Sequence, residues 1–421
     1  MGIISKNDVV NIILLVNSLV WYLCSFSFLK NNTGFTGNDL VMIIGINLIT
    51  TFLAAVLSSK VIQKIGNRTK IIVPWLIIGI FISILILFID SSFFNFGSIT
   101  SVIGPAPKNF PISASFFEIS LISGIVGTYC GFGFPALLGY FTATTKSVHR
   151  AKISGIILLV TSLSYALMVL FVQTAISAVI VLAICKLCGL LAIIFLKLSE
   201  VKISKEEKVS YKTVLKDRSV LLYIVPWLMF SIVNAFALPT LSSGFGADTI
   251  NTVTFVENIL AGIFAVIFGF VAVRFGRKRL LFFGFTMLGV GYAILGLFPS
   301  DYGLYFYTFA DGVAWGIFMM LFILTIWGDI ADKRDSEKFF IIGFLPYLLS
   351  AFLQVAFGQF IAESVTNLTS VFLFISIFLF IAITPLYFAP ETLSDEDKTN
   401  NELTTYAEEA LKQFEQETKK Q

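Results

Sequence analysis

Between residues 9 and 388 the sequence passes through twelve apolar runs, each close to 20 residues long, and nothing else restricts its folding as strongly. A run of that length matches a hydrocarbon layer of ~30 Å. Inside such a layer only helices and closed barrels satisfy the backbone. The runs are continuous rather than alternating, so they predict helices, at roughly 9–28, 40–58, 71–89, 115–138, 153–172, 175–196, 220–239, 253–273, 280–298, 303–327, 339–361 and 369–388. Charged residues make up 13% of the chain, against about 25% in an average soluble domain. That is too few to solvate a water-facing surface, and the mean hydropathy of +0.90 agrees. The expected fold class is an all-α integral membrane protein of twelve spans.

The cations are distributed unevenly. Of 29 Lys and Arg, only Lys30 and Lys108 fall in loops on one side, and Lys186 lies within a span. The other 26 occupy the N-terminus, the loops after even-numbered spans, or the tail. Loops enriched in Lys and Arg stay on the cytoplasmic side, so both termini and the connection at 198–219 are expected there. Met1–Asp8 lacks the basic start of a cleavable signal, so the first span is expected to be retained. Two connections are long: Asp90–Ser113 between spans 3 and 4, and Leu198–Ser219, rich in Lys and Glu, between spans 6 and 7. The second divides the chain into 1–197, a linker at 198–219, a second six-span unit at 220–390, and a polar tail at 391–421.

One short turn is particularly informative. Gly269–Arg279 reads G-F-V-A-V-R-F-G-R-K-R and joins two spans. It resembles the loop 2–3 signature of the major facilitator superfamily, G-x-L-A-D-R-x-G-R-K. Gly269, Ala272, Arg274, Gly276, Arg277 and Lys278 fall on the pattern, while Val273 replaces the acid. A degraded copy lies 210 residues earlier at Ser59–Lys70, with Gly66 and Arg68 in register and Gln63 in the acid's place. The loops after spans 4 and 10 echo each other as well: the pairs Gly139/Gly328 and Gly155/Gly343 are 189 and 188 residues apart. The resemblance covers about residues 5–390. It implies two pseudo-symmetric six-helix halves around a central site near the bilayer midplane, with spans 1, 4, 7, 10 and 11 at the cavity. It also implies a cytoplasmic gate formed by the basic turns, for which Asp329, Asp332, Asp335 and Glu337 are available partners.

An ionisable residue at the centre of a span costs about 2.5–3.5 kcal/mol, which makes each one a candidate. Asp311 lies mid-depth in span 10, with Trp315 one helical turn further on the same face. It reads as a proton or cation site, or as a structural carboxylate bonded to a neighbouring helix. Glu257 and Asn258 in span 8, and Glu118 in span 4, lie nearer the outer surface. They suit either an outer cation site or contact with headgroup water. Asn17, Asn234 and Gln354 add polarity on cavity-lining spans, where Trp21 and Trp227 are candidate clamps for an organic ligand. Lys186, near the centre of span 6, is expected as a buried ion pair or a neutral lysine, on a span the resemblance puts at the periphery.

Cys185 and Cys188 flank Lys186 as C-x-x-C, but no second ligand pair completes a tetrahedral metal site. The four cysteines all sit in apolar runs and do not read as a disulfide framework. Span 5 lacks the G-P-x-x-G-G of drug–proton antiporters, and Pro390–Thr392 resembles the motif that follows the last span of sugar porters. No H-E-x-x-H, G-x-S-x-G or Walker-type loop is present, and the single histidine, His149, lies in a loop. An enzyme, a cofactor, a metal and nucleic acid are therefore not expected. The expected function is secondary active transport of a small organic solute across the cell membrane, coupled to protons, by a monomer whose partners are lipid, solute and H+. A uniporter and a non-transporting receptor or scaffold on the same fold remain open.

Overall fold

The computed structural model describes residues 5–31, 35–93, 116–171, 175–196, 198–202, 208–332, 334–365 and 367–393, with Thr399 and Leu403. Most of the loop expected at Asp90–Ser113, and of the tail, lies outside the described residues. The first six spans are α1 (Lys6–Asn31), α2 (Gly37–Ile65), α3 (Thr69–Phe93), α4 (Phe116–Thr144), α5 (Ser147–Phe171) and α6 (Ala175–Leu196). A short helix, α7 (Tyr211–Lys216), interrupts the linker and is capped by the Ser210 hydroxyl, which accepts from Thr213 N. Then come α8 (Arg218–Phe245), α9 (Ala247–Phe275), α10 (Arg277–Leu297), α11 (Asp301–Phe318), α12 (Ile326–Ala331), α13 (Ser336–Ser364) and α14 (Leu368–Phe388). Among the described residues, ten stretches are long and apolar enough to cross a membrane, and two shorter apolar helices cover Thr69–Ile84 and Ile180–Leu196. Large apolar side chains such as Leu53, Leu57, Phe81, Phe195 and Phe374 are exposed on the outside. Lipid is the solvent that suits them. The protein is an integral multi-pass membrane protein.

The helices outrun the apolar runs. α2 continues seven residues past the expected end at 58, and α9 begins six residues before 253. Apolarity ends where the hydrocarbon ends, whereas a helix ends where its backbone is capped or reversed. Gly66 caps α2 at φ +67°, and Gly276 reverses the chain between α9 and α10 at φ +87°. A side chain disfavours both conformations, which explains the two glycines in the basic turns.

The tenth span departs from expectation more sharply. It is α11, a π-helical segment at Met319–Thr325, and α12, rather than one α-helix. Thr325 Oγ1 bonds the Met320 carbonyl five residues back at 2.7 Å and lies 3.2 Å from Ser154 Oγ on α5. The segment from Met320 to Thr325 is wholly buried.

Within each set of six, α2 packs along α4 and α8 along α13; α5 against α9 and α2 against α13 join the two sets. Gly269 allows the α5–α9 crossing, since a methyl group there would stand 2.9 Å from the Ala151 carbonyl oxygen. Small residues at such crossings let backbones approach in a membrane.

Candidate functional site

A cavity of about 290 Å³ lies between the two sets of helices. Its walls come from α1, α2, α4, α5, α8, α9, α11, the π segment and α13, so the first, fourth, seventh and tenth spans all border it. Asp311, Trp315, Glu257, Asn258, Asn234 and Gln354 all line it. Asp311 is the eleventh residue of α11 and Glu257 the eleventh of α9, and both helices start from the same face of the molecule. At 1.5 Å per residue each carboxyl is roughly 15 Å from its helix start. Glu257 thus stands level with Asp311 along the two helices, although it lies only about five residues into its apolar run.

The two acids meet. The Asp311 carboxyl is within hydrogen-bonding reach of the side chains of Glu257, Trp315 and Tyr307. Tyr307 stands one turn before Asp311, and its hydroxyl lies 3.2 Å from that of Tyr292 on α10. Glu257 Oε1 is buried with no hydrogen-bond partner among the described residues. Trp315 packs edge-on against Phe230 of α8, ring centroids 4.9 Å apart. The amides are held too: Asn234 Nδ2 donates to Ser350 Oγ at 3.1 Å, and Asn258 Nδ2 to the Thr254 carbonyl at 2.8 Å. Gln354 Oε1 accepts from Lys30 Nζ at 2.6 Å, tying the end of α1 to α13.

Three candidates lie elsewhere. Asn17 donates to the Cys185 carbonyl of α6 and does not line the cavity. Glu118 occupies the first turn of α4, also away from the lining. Lys186 is fully buried among Trp75, Trp21 and Tyr129, its Nζ 4.7, 5.4 and 5.4 Å from their ring centroids. It has no carboxylate partner among the described residues, so the ion pair is replaced by three aromatic faces. The two tryptophans considered as ligand clamps are packing residues. Trp21 Nε1 donates to Ser83 Oγ at 3.1 Å, and Trp227 stacks on Phe322 and donates to the Gly343 carbonyl at 2.9 Å. Each exhausts its polar handle inside the helix bundle. Tyr307, Tyr22, Tyr347 and Cys130, by contrast, line the cavity without having been singled out. Tyr307 was recoverable from its place one turn before Asp311; the others carry no such signal.

At the end of the molecule bearing the basic turns, a buried polar network bridges the two sets of helices. Arg68 grips Glu337 with Nε–Oε1 at 2.5 Å and Nη2–Oε2 at 3.2 Å, both side chains buried. Asp329 is shared by Arg150 of α5 and by Arg277, whose Nε is 3.2 Å away. Arg277 Nη2 also donates to the Ser147 carbonyl at 2.6 Å, crossing to α5. Gln63, standing in the signature's acid position, donates to Asp335, which Lys338 approaches at 3.4 Å. Burial, with a hydrogen bond and repulsion from Glu337, raises the Asp335 carboxyl above the ordinary carboxylate range. Glu391, from the P-E-T motif, accepts from Arg277 N at 2.8 Å and Lys278 N at 3.2 Å and so caps α10. Lys278 Nζ donates to the carbonyls of Tyr387 and Ala389, both at 2.8 Å, while Arg274 is exposed. The linker participates: the Tyr211 hydroxyl lies 2.8 Å from Ser59 Oγ, and Lys338 Nζ donates to the Val209 carbonyl.

Comparison with known proteins gives a consistent result. The family model described as Major Facilitator Superfamily matches residues 219–417. No curated protein matches the chain in sequence. Solved structures match over nearly its whole length. The human organic anion transporter MFSD10 (TETRAN) aligns with a TM-score of 0.61 at 13% identity, covering 91% of this chain and 99% of that one. The proton:xylose symporter XylE, bound to 6-bromo-6-deoxy-D-glucose, aligns with 0.60 at 14%, covering 91% and 96%. FucP in the outward conformation aligns with 0.60 at 11%, covering 92% and 100%. The chain therefore carries the family's sequence pattern over residues 219–417 and has the fold of these solved structures over nearly its whole length.

Proposed function

We propose that this protein is a solute transporter of the major facilitator superfamily, secondary active and proton-coupled, and that it works by alternating access. Residues 1–197 and 220–390 form two bodies that rock about the cavity, the linker at 198–219 joining them on the cytoplasmic side of the cell membrane. The basic turns close that side in the arrangement described above. Asp311 is the proton site, with Glu257 as its partner.

One observation carries the reading: two carboxyls meet in the cavity between the two sets of helices. A hydrogen bond between two carboxyl groups needs a proton between their oxygens, because two carboxylates have only acceptors to offer. The pair therefore holds a proton where a solute would bind, and losing it changes the charge of the cavity.

The test uses purified protein in liposomes, an imposed pH gradient, and a mixture of sugars, amino acids, carboxylates and amines read by mass spectrometry. The native protein should move at least one solute faster than protein-free vesicles, in proportion to the gradient. Asp311→Asn should lose the gradient dependence. Undiminished gradient-driven movement in Asp311→Asn would remove Asp311 from coupling, and no movement by the native protein would remove transport of these solute classes.

A further inference from the structure

We infer that the solute is an organic monocation with an apolar body, and that its charged head takes the place of the proton held between Asp311 and Glu257. The inference rests on reading the cavity as the transport site.

Three observations converge on it. Among the described residues that line the cavity, none is Lys, Arg or His, while two are acids. An anionic head would meet the carboxyl pair with nothing to neutralise it, and an unpaired charge in a dry site is strongly disfavoured. Lys30, which is not among the lining residues, donates to the lining residue Gln354.

The second observation is the orphaned oxygen. Glu257 Oε1 is buried and lacks a partner, and the side chain it belongs to lines the cavity. A buried acceptor left unmatched calls for a donor. The other titratable groups facing the pair are Tyr307 and, behind it, Tyr292; Tyr22, Cys130 and Tyr347 line other parts of the wall. None of them carries positive charge, and an ammonium head would supply both the charge and the missing donor.

The third is the wall. Trp315 stands beside the carboxyl pair, Tyr307 and Phe344 also line the cavity, and aliphatic and aromatic side chains supply most of the remaining lining. An aromatic face attracts a cation, and apolar walls require an apolar body.

The charge balance sets the direction of exchange. A carboxyl pair with one proton carries one negative charge. When an ammonium group binds between the oxygens, the proton leaves to the aqueous side from which the solute entered, and the pair becomes doubly ionised around a single positive head. The net charge of the occupied site stays at minus one, as before. A cation moving one way is thus matched by a proton moving the other.

Three probes with one body and different heads test this: phenethylamine, 2-phenylethanol and phenylacetate, each titrated calorimetrically into detergent-solubilised native protein at pH 7. Phenethylamine should bind at least about tenfold tighter than 2-phenylethanol, the worth of one charge-assisted hydrogen bond. Phenylacetate should not bind measurably. In weak buffer, phenethylamine binding should release up to one proton per protein. Glu257→Gln, monitored for folding by gel filtration, should reduce the preference for the amine and abolish proton release. If Glu257→Gln fails to fold, Trp315→Leu should weaken phenethylamine more than 2-phenylethanol. Equal affinity for amine and alcohol, preference for the acid, no binding of any probe, or an unaltered preference in the folded variant would each overturn the inference. Amine binding by a protein whose gradient-driven transport survives Asp311→Asn would leave the solute class standing and remove only the coupling.

Discussion

Arg68→Ala tests the proposed latch at the basic end. In the closed arrangement Arg68 and Glu337 form a two-bonded pair with both side chains buried. Removing the arginine leaves a buried carboxylate uncompensated, which costs about 3–5 kcal/mol in comparable pairs. When the two bodies separate at this end, Glu337 meets water, so the cost falls on the closed arrangement alone. That corresponds to a shift of roughly two to nearly four decades in the closed-to-open ratio. The assay is a pulsed electron spin distance measurement between labels at the exposed positions Lys64 and Arg279, in a background lacking the four native cysteines. The native protein should give one short distance, and Arg68→Ala a population at longer distance. Replacing both partners by methionine removes the stranded charge and should restore most of the short distance. Gly139→Ala acts on the same pair, because its methyl would stand 2.6 Å from the Glu337 carboxyl carbon and 2.9 Å from Arg68 Nε. It should shift the distribution the same way by less. An unchanged distribution in well-folded Arg68→Ala would refute the latch.

Two other perturbations act on this end. Asp335 is raised by burial in the closed arrangement and should return to about 3.9 when solvated. The closed form then binds its proton more tightly, so closure is favoured at low pH and loses that support as pH rises through the raised value. The Lys64–Arg279 distance should lengthen between about pH 4 and about pH 8 in native protein and stay flat in Asp335→Asn; closure on raising pH would contradict the assignment. Glu391→Ala removes the acceptor of two amide donors at the start of α10. It should destabilise the protein by about 1–2 kcal/mol, visible as a lower Tm in detergent. Glu391→Gln should recover part of the loss, and an unaltered Tm in the alanine variant would mean the cap is replaced by solvent.

Much of this molecule is legible in its sequence because lipid imposes a coarse rule. Twenty apolar residues make a span, and a basic loop with a glycine at its reversal makes a turn, so the helix order and the roles of Gly66 and Gly276 follow from composition and spacing. Asp311, Trp315, Asn234 and Gln354 come to line one cavity for the same reason: a polar group in an apolar run seeks a wet or polar interior. What escaped depends on details that hydropathy does not encode. α9 starts before its apolar run, and its packing against α11 brings Glu257 to Asp311. The π segment at Met319–Thr325 arises from a hydrogen-bond shift within a run whose residues read as ordinary helix. Lys186 has aromatic partners from three other helices, a pairing no local pattern reveals. Asn17 and the tryptophans Trp21 and Trp227 share their chemistry with cavity residues but spend it on helix packing.

Alternating access makes one demand that a single experiment meets directly. In a cysteine-free background, Asn258→Cys places one thiol in the cavity wall, and a membrane-impermeant maleimide can be applied to either face of oriented vesicles. With the basic turns latched, the thiol should react from the face opposite to them; with Arg68→Ala added, it should become reactive from the basic face. Labelling from the same single face in both proteins would mean the cavity does not change sides, and transport by alternating access would fall.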